Sequence, residues 1–174
     1  MTFKIGQKGK RRKVKGVPQL AGHQPLLGNL GFDERREMGN LFAYGTLMCD
    51  DIMQEVSGLH PSHVVGILRG YSRRCVKGEH YPALVQDADG RVEGVVYRNV
   101  PNAAWHRLDR FEGGMYTRES VEIELSDGTT LPAATYVVRA EFLNHLDQSD
   151  WDFTDFLRNG KARFQNHYKG YQSL

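Results

Sequence analysis

Leu41-Phe42-Ala43-Tyr44-Gly45-Thr46-Leu47 is the stretch on which the fold turns. Its first four residues are an apolar run of strand length, the pattern of a buried strand. Gly45 then permits a sharp turn and lets another group approach the backbone closely. Thr46 adds a hydroxyl, and successive N–H groups after a strand end can converge on an anion. Taken alone, Tyr44 to Leu47 is equally an ordinary strand-to-loop turn. Three later segments change the balance. They are Tyr81-Pro82-Ala83-Leu84, then Gly94-Val95-Val96-Tyr97, then Leu108-Asp109-Arg110-Phe111-Glu112-Gly113 with Tyr116 close behind.

Upstream of this strand the chain has a different character. Residues 1–37 show no sustained periodicity and carry nine Lys/Arg against three Asp/Glu. That makes the segment about +6 in a chain of net charge +2, so the remainder is acidic. A charge run from Lys8 to Gly16 is followed by Pro18, Gly22, Pro25, Gly28 and Gly31. The expectation is a basic, mobile extension over 1–37 and a folded domain over 38–174. A basic run binds nucleic acid by neutralising phosphates, but its more ordinary use is as a solvated tail, so nucleic acid is not an expected partner.

Downstream, Asp50 and Asp51 are placed to cap a short helix running to Ser57 and closed by Gly58. Val64–Leu68 and Tyr71–Val76 form one long bent strand, with Gly66 and Gly70 as candidate bulges. Tyr81–Gln86 and Val92–Tyr97 are expected as a hairpin about Asp87-Ala88-Asp89-Gly90. Pro101 suits the first turn of a helix reaching Phe111. Tyr116–Leu125 alternates, Asp127-Gly128 signals a hairpin, and Leu131–Arg139 is the return strand. Ser149-x-x-Asp152 resembles a capping box before a helix bearing Trp151, Phe153, Phe156 and Leu157 and ending at Gly160. A last short helix carries Phe164 and Tyr168 as core anchors. This mixture predicts an α+β fold with a mixed, strongly curved, barrel-like sheet and flanking helices.

A chain of 174 residues, 40% apolar and 25% charged, suits one globular domain with a sizeable core. No apolar run approaches the roughly 20 residues that span a bilayer, and the basic N-terminus lacks an apolar signal region. Cys49 and Cys75 make no disulfide framework, so a cytoplasmic location is expected. The sequence sets no oligomeric state.

Glu112 is the acid that stands out. It lies between Phe111 and Gly113-Gly114 at the exit of an apolar-lined helix, with Met115 and Tyr116 beyond. Desolvation there would move its pKa towards neutrality, where a general acid/base works best. The alternative is a surface glutamate near a helix C-terminus, which is electrostatically unfavourable. Asp109, one turn earlier, is a second polar group or an orienting one. His60 and His63 lie in a Gly/Pro/Ser-rich loop without acids or thiols at ligand spacing, so no metal site is expected. No G-x-S-x-G, P-loop or G-x-G-x-x-G is present.

Taken together, Phe42 to Leu47, Tyr81 to Leu84, Val92 to Tyr97, Leu108 to Gly113 and Tyr116-Thr117-Arg118 resemble the γ-glutamyl cyclotransferase-like family, in its γ-glutamylamine cyclotransferase branch. Tyr136 fits as well. The resemblance covers roughly residues 40–140, with a weaker continuation to Tyr168-Lys169-Gly170. It implies a cofactor-independent lyase acting on a small γ-glutamyl compound. The substrate's α-amino group attacks its own γ-amide carbonyl, releasing 5-oxoproline and a free amine or amino acid. It also implies that Glu112 is the general acid/base and that Tyr44, Gly45, Thr46 and Leu47 hold the γ-glutamyl group. Tyr81, Pro82, Tyr116 and Tyr136 complete the expected binding site. Arg118 is left between pairing with an acid, pairing with the substrate carboxylate, and pointing outward. Two other functions stay open: a binding module that kept the pocket without turnover, and a nucleic-acid-associated protein working through its tail.

Overall fold

A computed structural model describes residues 38–60, 62–168 and 170. The expected extension over 1–37 lies outside them. The strands are β1 (Gly39–Ala43), β2 (His63–Val76), β3 (Pro82–Val100), β4 (Tyr116–Leu125), β5 (Thr130–Val138) and β6 (Leu146–Asp150). The helices are α1 (Asp50–Ser57), α2 (Asn102–Glu112), α3 (Phe153–Asp155) and α4 (Lys161–His167). The sheet runs β3-β1-β5-β4-β2, and β2 pairs back onto β3, which closes a five-stranded barrel. β6 adds to the far end of β2. The β1–β5 pairing is parallel and the others are antiparallel. The expected α+β architecture, with a strongly curved sheet and flanking helices, is the one observed.

Why β1 lacks alternation is now clear. Phe42 and Tyr44 belong to one core cluster with Leu68, Leu84, Val96 and Ile123, all from strands. Leu41 and Ala43 belong to a second, shared with Ile52 and Met53 of α1 and Leu108 and Phe111 of α2. A strand buried on both faces is apolar at every position. On α2, buried Ala104, Trp105, Leu108 and Phe111 form one helical stripe. Arg107 leaves that stripe to donate to the carbonyls of Val56 and Glu55 at 2.7 and 2.9 Å, satisfying the C-terminal end of α1. Among the described residues no helix is long and apolar enough to cross a membrane.

Several local expectations need correction. Asp87–Gly90 is not a chain reversal. Gln86 pairs with Tyr71 and Arg91 with Arg69, so both flanks follow β2 in one direction. The four residues form a large bulge opposite Gly70, held where Ser72 Oγ donates to Asp87 Oδ2. Turn residues mark a departure from the ladder and leave its destination open. Gly66 is no bulge: it pairs regularly with Gly94, and a Cβ there would collide with Ile123. Asp50 and Asp51 lie in the first turn of α1, where their charge is favourable to the helix dipole, and Cys49 takes the cap position. Pro101 is likewise the extended residue before α2. Ser149 falls in β6, and the cap is Asp152, whose carboxylate accepts from Asp155 N–H at 2.6 Å. Gly160 does not end the helix. The chain passes through a π turn at Phe156–Gly160 into α4, with Gly160 packed against Phe156 and His80. His63 opens β2, paired with Asp50 at 3.4 Å and edge-on to Tyr97.

Candidate active site

The end of β1 and the end of α2 meet at one narrow cleft. Beyond β1 the chain makes a single 3-10 turn at Thr46–Met48. Two anchors hold this turn. Tyr97 Oη donates to Leu47 O at 2.8 Å, and Arg73 Nη1 donates to Tyr44 O at 2.8 Å. Gly45 has a negative φ of −130°, so close approach, not left-handed backbone, demands glycine there. A Cβ would stand 2.7 Å from Pro82 Cγ. The first N–H groups of a 3-10 turn have no acceptor within it, so those of Thr46 and Leu47 are not consumed by the turn itself.

Glu112 is the last residue of α2. The residue is partly accessible through the cleft, yet its carboxyl lies among packed protein atoms. Burial, and next the charge of Asp109, raise its pKa to about 8. Tyrosines converge on it from several elements. Tyr44, Tyr81, Tyr116, Tyr136 and Tyr168 each have their phenol pKa raised, first by burial, with the Glu112 charge contributing to each. These hydroxyls are therefore neutral throughout the ordinary pH range.

Most of their protons are already committed. Tyr44 Oη donates to Tyr136 O at 2.7 Å, and Tyr116 Oη to Pro82 O at 2.9 Å. Tyr136 Oη donates to Asp109 Oδ1 at 2.7 Å, and Tyr168 Oη to Phe111 O at 3.0 Å. A hydroxyl has one proton and two lone pairs, so what these four still offer a ligand is acceptors. Arg118 is also resolved: it pairs with Asp109 at 3.3 Å, its guanidinium 4.6 Å from the Trp105 ring centroid.

All nine residues expected at the site, Glu112 with Tyr44, Gly45, Thr46, Leu47, Tyr81, Pro82, Tyr116 and Tyr136, line this cleft. Phe111, Phe164 and Tyr168 also line it and were not expected there. Phe164 and Tyr168 stack at 4.6 Å, and Tyr168 packs edge-on to Tyr81 and Phe111. Their spacing of four residues put them on one helical face but could not say which wall that face would meet. Arg73 carried no signal at all. Its role depends on a bond between residues 29 apart in sequence.

Comparison with known proteins identifies relatives of the chain and of its fold. AIG2-like protein C of Arabidopsis thaliana is 32% identical over 126 residues, covering 72% of this chain and 73% of the relative. A solution structure of an Arabidopsis thaliana protein superposes with a TM-score of 0.58 at 27% identity, over 75% of this chain and 79% of that one. A solved γ-glutamyl cyclotransferase shares the fold with a TM-score of 0.53 at 19% identity, over 59% and 68% of the two chains. The family model described as "Gamma-glutamyl cyclotransferase, AIG2-like" matches residues 41–153, which begins at the apolar run of β1 and takes in every strand and α2, and the chain belongs to that family.

Proposed function

We propose that the protein is a γ-glutamyl cyclotransferase that converts a small γ-glutamyl compound into 5-oxoproline and a free amine or amino acid. The observation that carries this is the Glu112 carboxyl, buried at the end of α2 against the Tyr44–Leu47 turn and raised to a pKa of about 8. In this reaction the substrate's α-amino nitrogen bonds to its own γ-carbonyl carbon. The bond from that carbon to the leaving nitrogen then breaks. The ammonium must first lose a proton, and the leaving amine must gain one. A single carboxylate can take the first proton and return it to the leaving nitrogen. With a pKa near 8, Glu112 is a stronger base than an exposed glutamate, and its acid form remains available for the return step.

The rest of the cleft suits the same chemistry. Attack within one molecule is accelerated chiefly by holding it folded in a near-attack conformer, and a narrow aromatic-walled cleft does that. The lone pairs of Tyr44, Tyr116, Tyr136 and Tyr168 can accept from the α-ammonium, and the N–H groups of Thr46 and Leu47 can face the substrate carboxylate or the developing oxyanion. No cofactor enters these steps.

The test is 5-oxoproline release over a panel of γ-glutamyl amines, γ-glutamyl amino acids and glutathione. At least one class should be turned over. Glu112→Gln should lower kcat about 100-fold or more with little change in KM. Release from none of the classes would reject the activity, and near-normal turnover by Glu112→Gln would remove that residue from it.

A further inference from the structure

We propose that Asp109, held by Arg118 and Tyr136, is a positioning residue for Glu112 that governs when Glu112 carries its proton. The proposal rests on the acid/base role given to Glu112 above. Asp109 and Glu112 are three residues apart on α2, which makes them neighbours on the helix surface. Two residues from the barrel wall reach the same oxygen of Asp109. Tyr136 Oη donates to it at 2.7 Å, and Arg118 Nη1 lies 3.3 Å away. Arg118 and Tyr136 are direct register partners across β4 and β5. The guanidinium is steadied from the other side by the ring of Trp105, which α2 itself supplies one turn before Asp109. Trp105 is in turn tied to Val100 O through Nε1 at 3.1 Å. Helix and barrel wall thus share one clamp on a carboxylate beside the proposed acid/base.

Such a clamp does more than fasten α2. Asp109 is the carboxylate that acts on Glu112, raising its pKa after burial has done most of the work. Among the described residues, the other titratable groups on which the Glu112 charge acts are phenols. They come from the residue after β1 (Tyr44), the segment before β3 (Tyr81), β4 (Tyr116), β5 (Tyr136) and the chain after α4 (Tyr168). All are neutral near pH 7, so the charge balance beside Glu112 rests on Asp109 and its Arg118 counter-ion. Side-chain exposures of 39% for Arg118 and 42% for Asp109 mean that solvent screens the pair. It therefore adjusts Glu112 and does not dominate it.

The test needs no turnover. The full chain carrying ¹³C-carboxyl glutamate is titrated by NMR, with Glu112 assigned by the signal lost in Glu112→Gln. Asp109→Asn should lower the Glu112 midpoint by about 1 unit, because a like charge is removed. Arg118→Met keeps an apolar contact with Trp105 but frees the Asp109 charge, so it should raise the midpoint by about half a unit or more. Arg118→Lys should restore the wild-type value. A clamp that only fastens the helix would leave the midpoint in place or move it the same way in both variants, and either result overturns the proposal. Should Asp109→Asn fail to fold, the contrast between Arg118→Met and Arg118→Lys decides alone. Opposite shifts in a protein that releases no 5-oxoproline would uphold the network and reject the activity. Where there is turnover, the acidic limb of kcat/KM should move in the same directions as the NMR midpoint.

Discussion

Glu112 is a carboxyl that the fold holds at a disadvantage, and this has a consequence for stability. Its folded pKa of about 8 stands above the usual 4.5. Between those values the unfolded chain has released a proton that the folded chain retains. The stability linked to this group is therefore complete below about pH 4.5 and is lost as the pH rises through about 8. Glutamine at this position is free of that penalty. Glu112→Gln should melt close to wild type near pH 4.5 and several degrees above it at pH 8. The difference should widen steadily as the pH rises from 4.5 to 8, at a few degrees per kcal/mol for a domain of this size. Thermal melts of both proteins across that range check it. Parallel curves at every pH would mean that the carboxyl is solvated. The same substitution that is expected to lower kcat about 100-fold or more is thus expected to stabilise the fold, a combination that simple damage to the structure does not produce.

At the scale of elements, the exit of α2 decides where Glu112 points. Gly113 has φ +70° and ψ −162°, a region essentially closed to residues with a Cβ. Its N–H donates to Asp109 O, which ends the helix one residue after the glutamate. Nothing lies within 4 Å of where its Cβ would be, so the demand for glycine is made by the backbone alone. Gly113→Ala should cost about 1–3 kcal/mol in urea unfolding and lower kcat, because the strain falls on the peptide joining Glu112 to the 3-10 turn. Gly114→Ala is the control. Gly114 also has open space around its Cβ position and lacks the positive φ, so this variant should stay within about 0.5 kcal/mol of wild type. Equal losses in both would place the constraint elsewhere in the turn.

For the whole molecule, the consequential feature is closure of the barrel through β2 and β3. Gly66 and Gly94 are register partners in that seam. A Cβ on Gly94 would collide with Ala43 O and the Phe42 ring, while one on Gly66 would meet Ile123. These positions let β1 press against β3 where β1 leads into the Tyr44–Leu47 turn. Gly94→Ala overpacks that contact and should destabilise by about 1–3 kcal/mol in urea unfolding. It should also raise KM in the 5-oxoproline assay, since the strand that must shift carries the turn. A variant with wild-type stability and KM would show that the seam tolerates the extra methyl by local adjustment.

What the sequence determined by itself was whatever depends on neighbours along the chain. The buried strand at Leu41 to Tyr44, the apolar-lined helix that exits at Glu112, and the Asp127-Gly128 hairpin are set by local pattern, and the structure keeps them. The segments that later line the cleft were legible too, because each carries its own turn or strand signature. Tertiary structure decided the rest. The bulge at Asp87–Gly90 depends on β2 being present to pair with both flanks. The cap at Asp152 prevails over Ser149 because β6 claims Ser149 for the sheet. The wall formed by Phe164 and Tyr168, the Arg73 bond to Tyr44 O, and the Asp109–Arg118–Tyr136 clamp join residues that are far apart in the chain. Local propensity biases φ, ψ and the exposed face of each element. The proton affinity of Glu112 arises only when several elements close around it and exclude water.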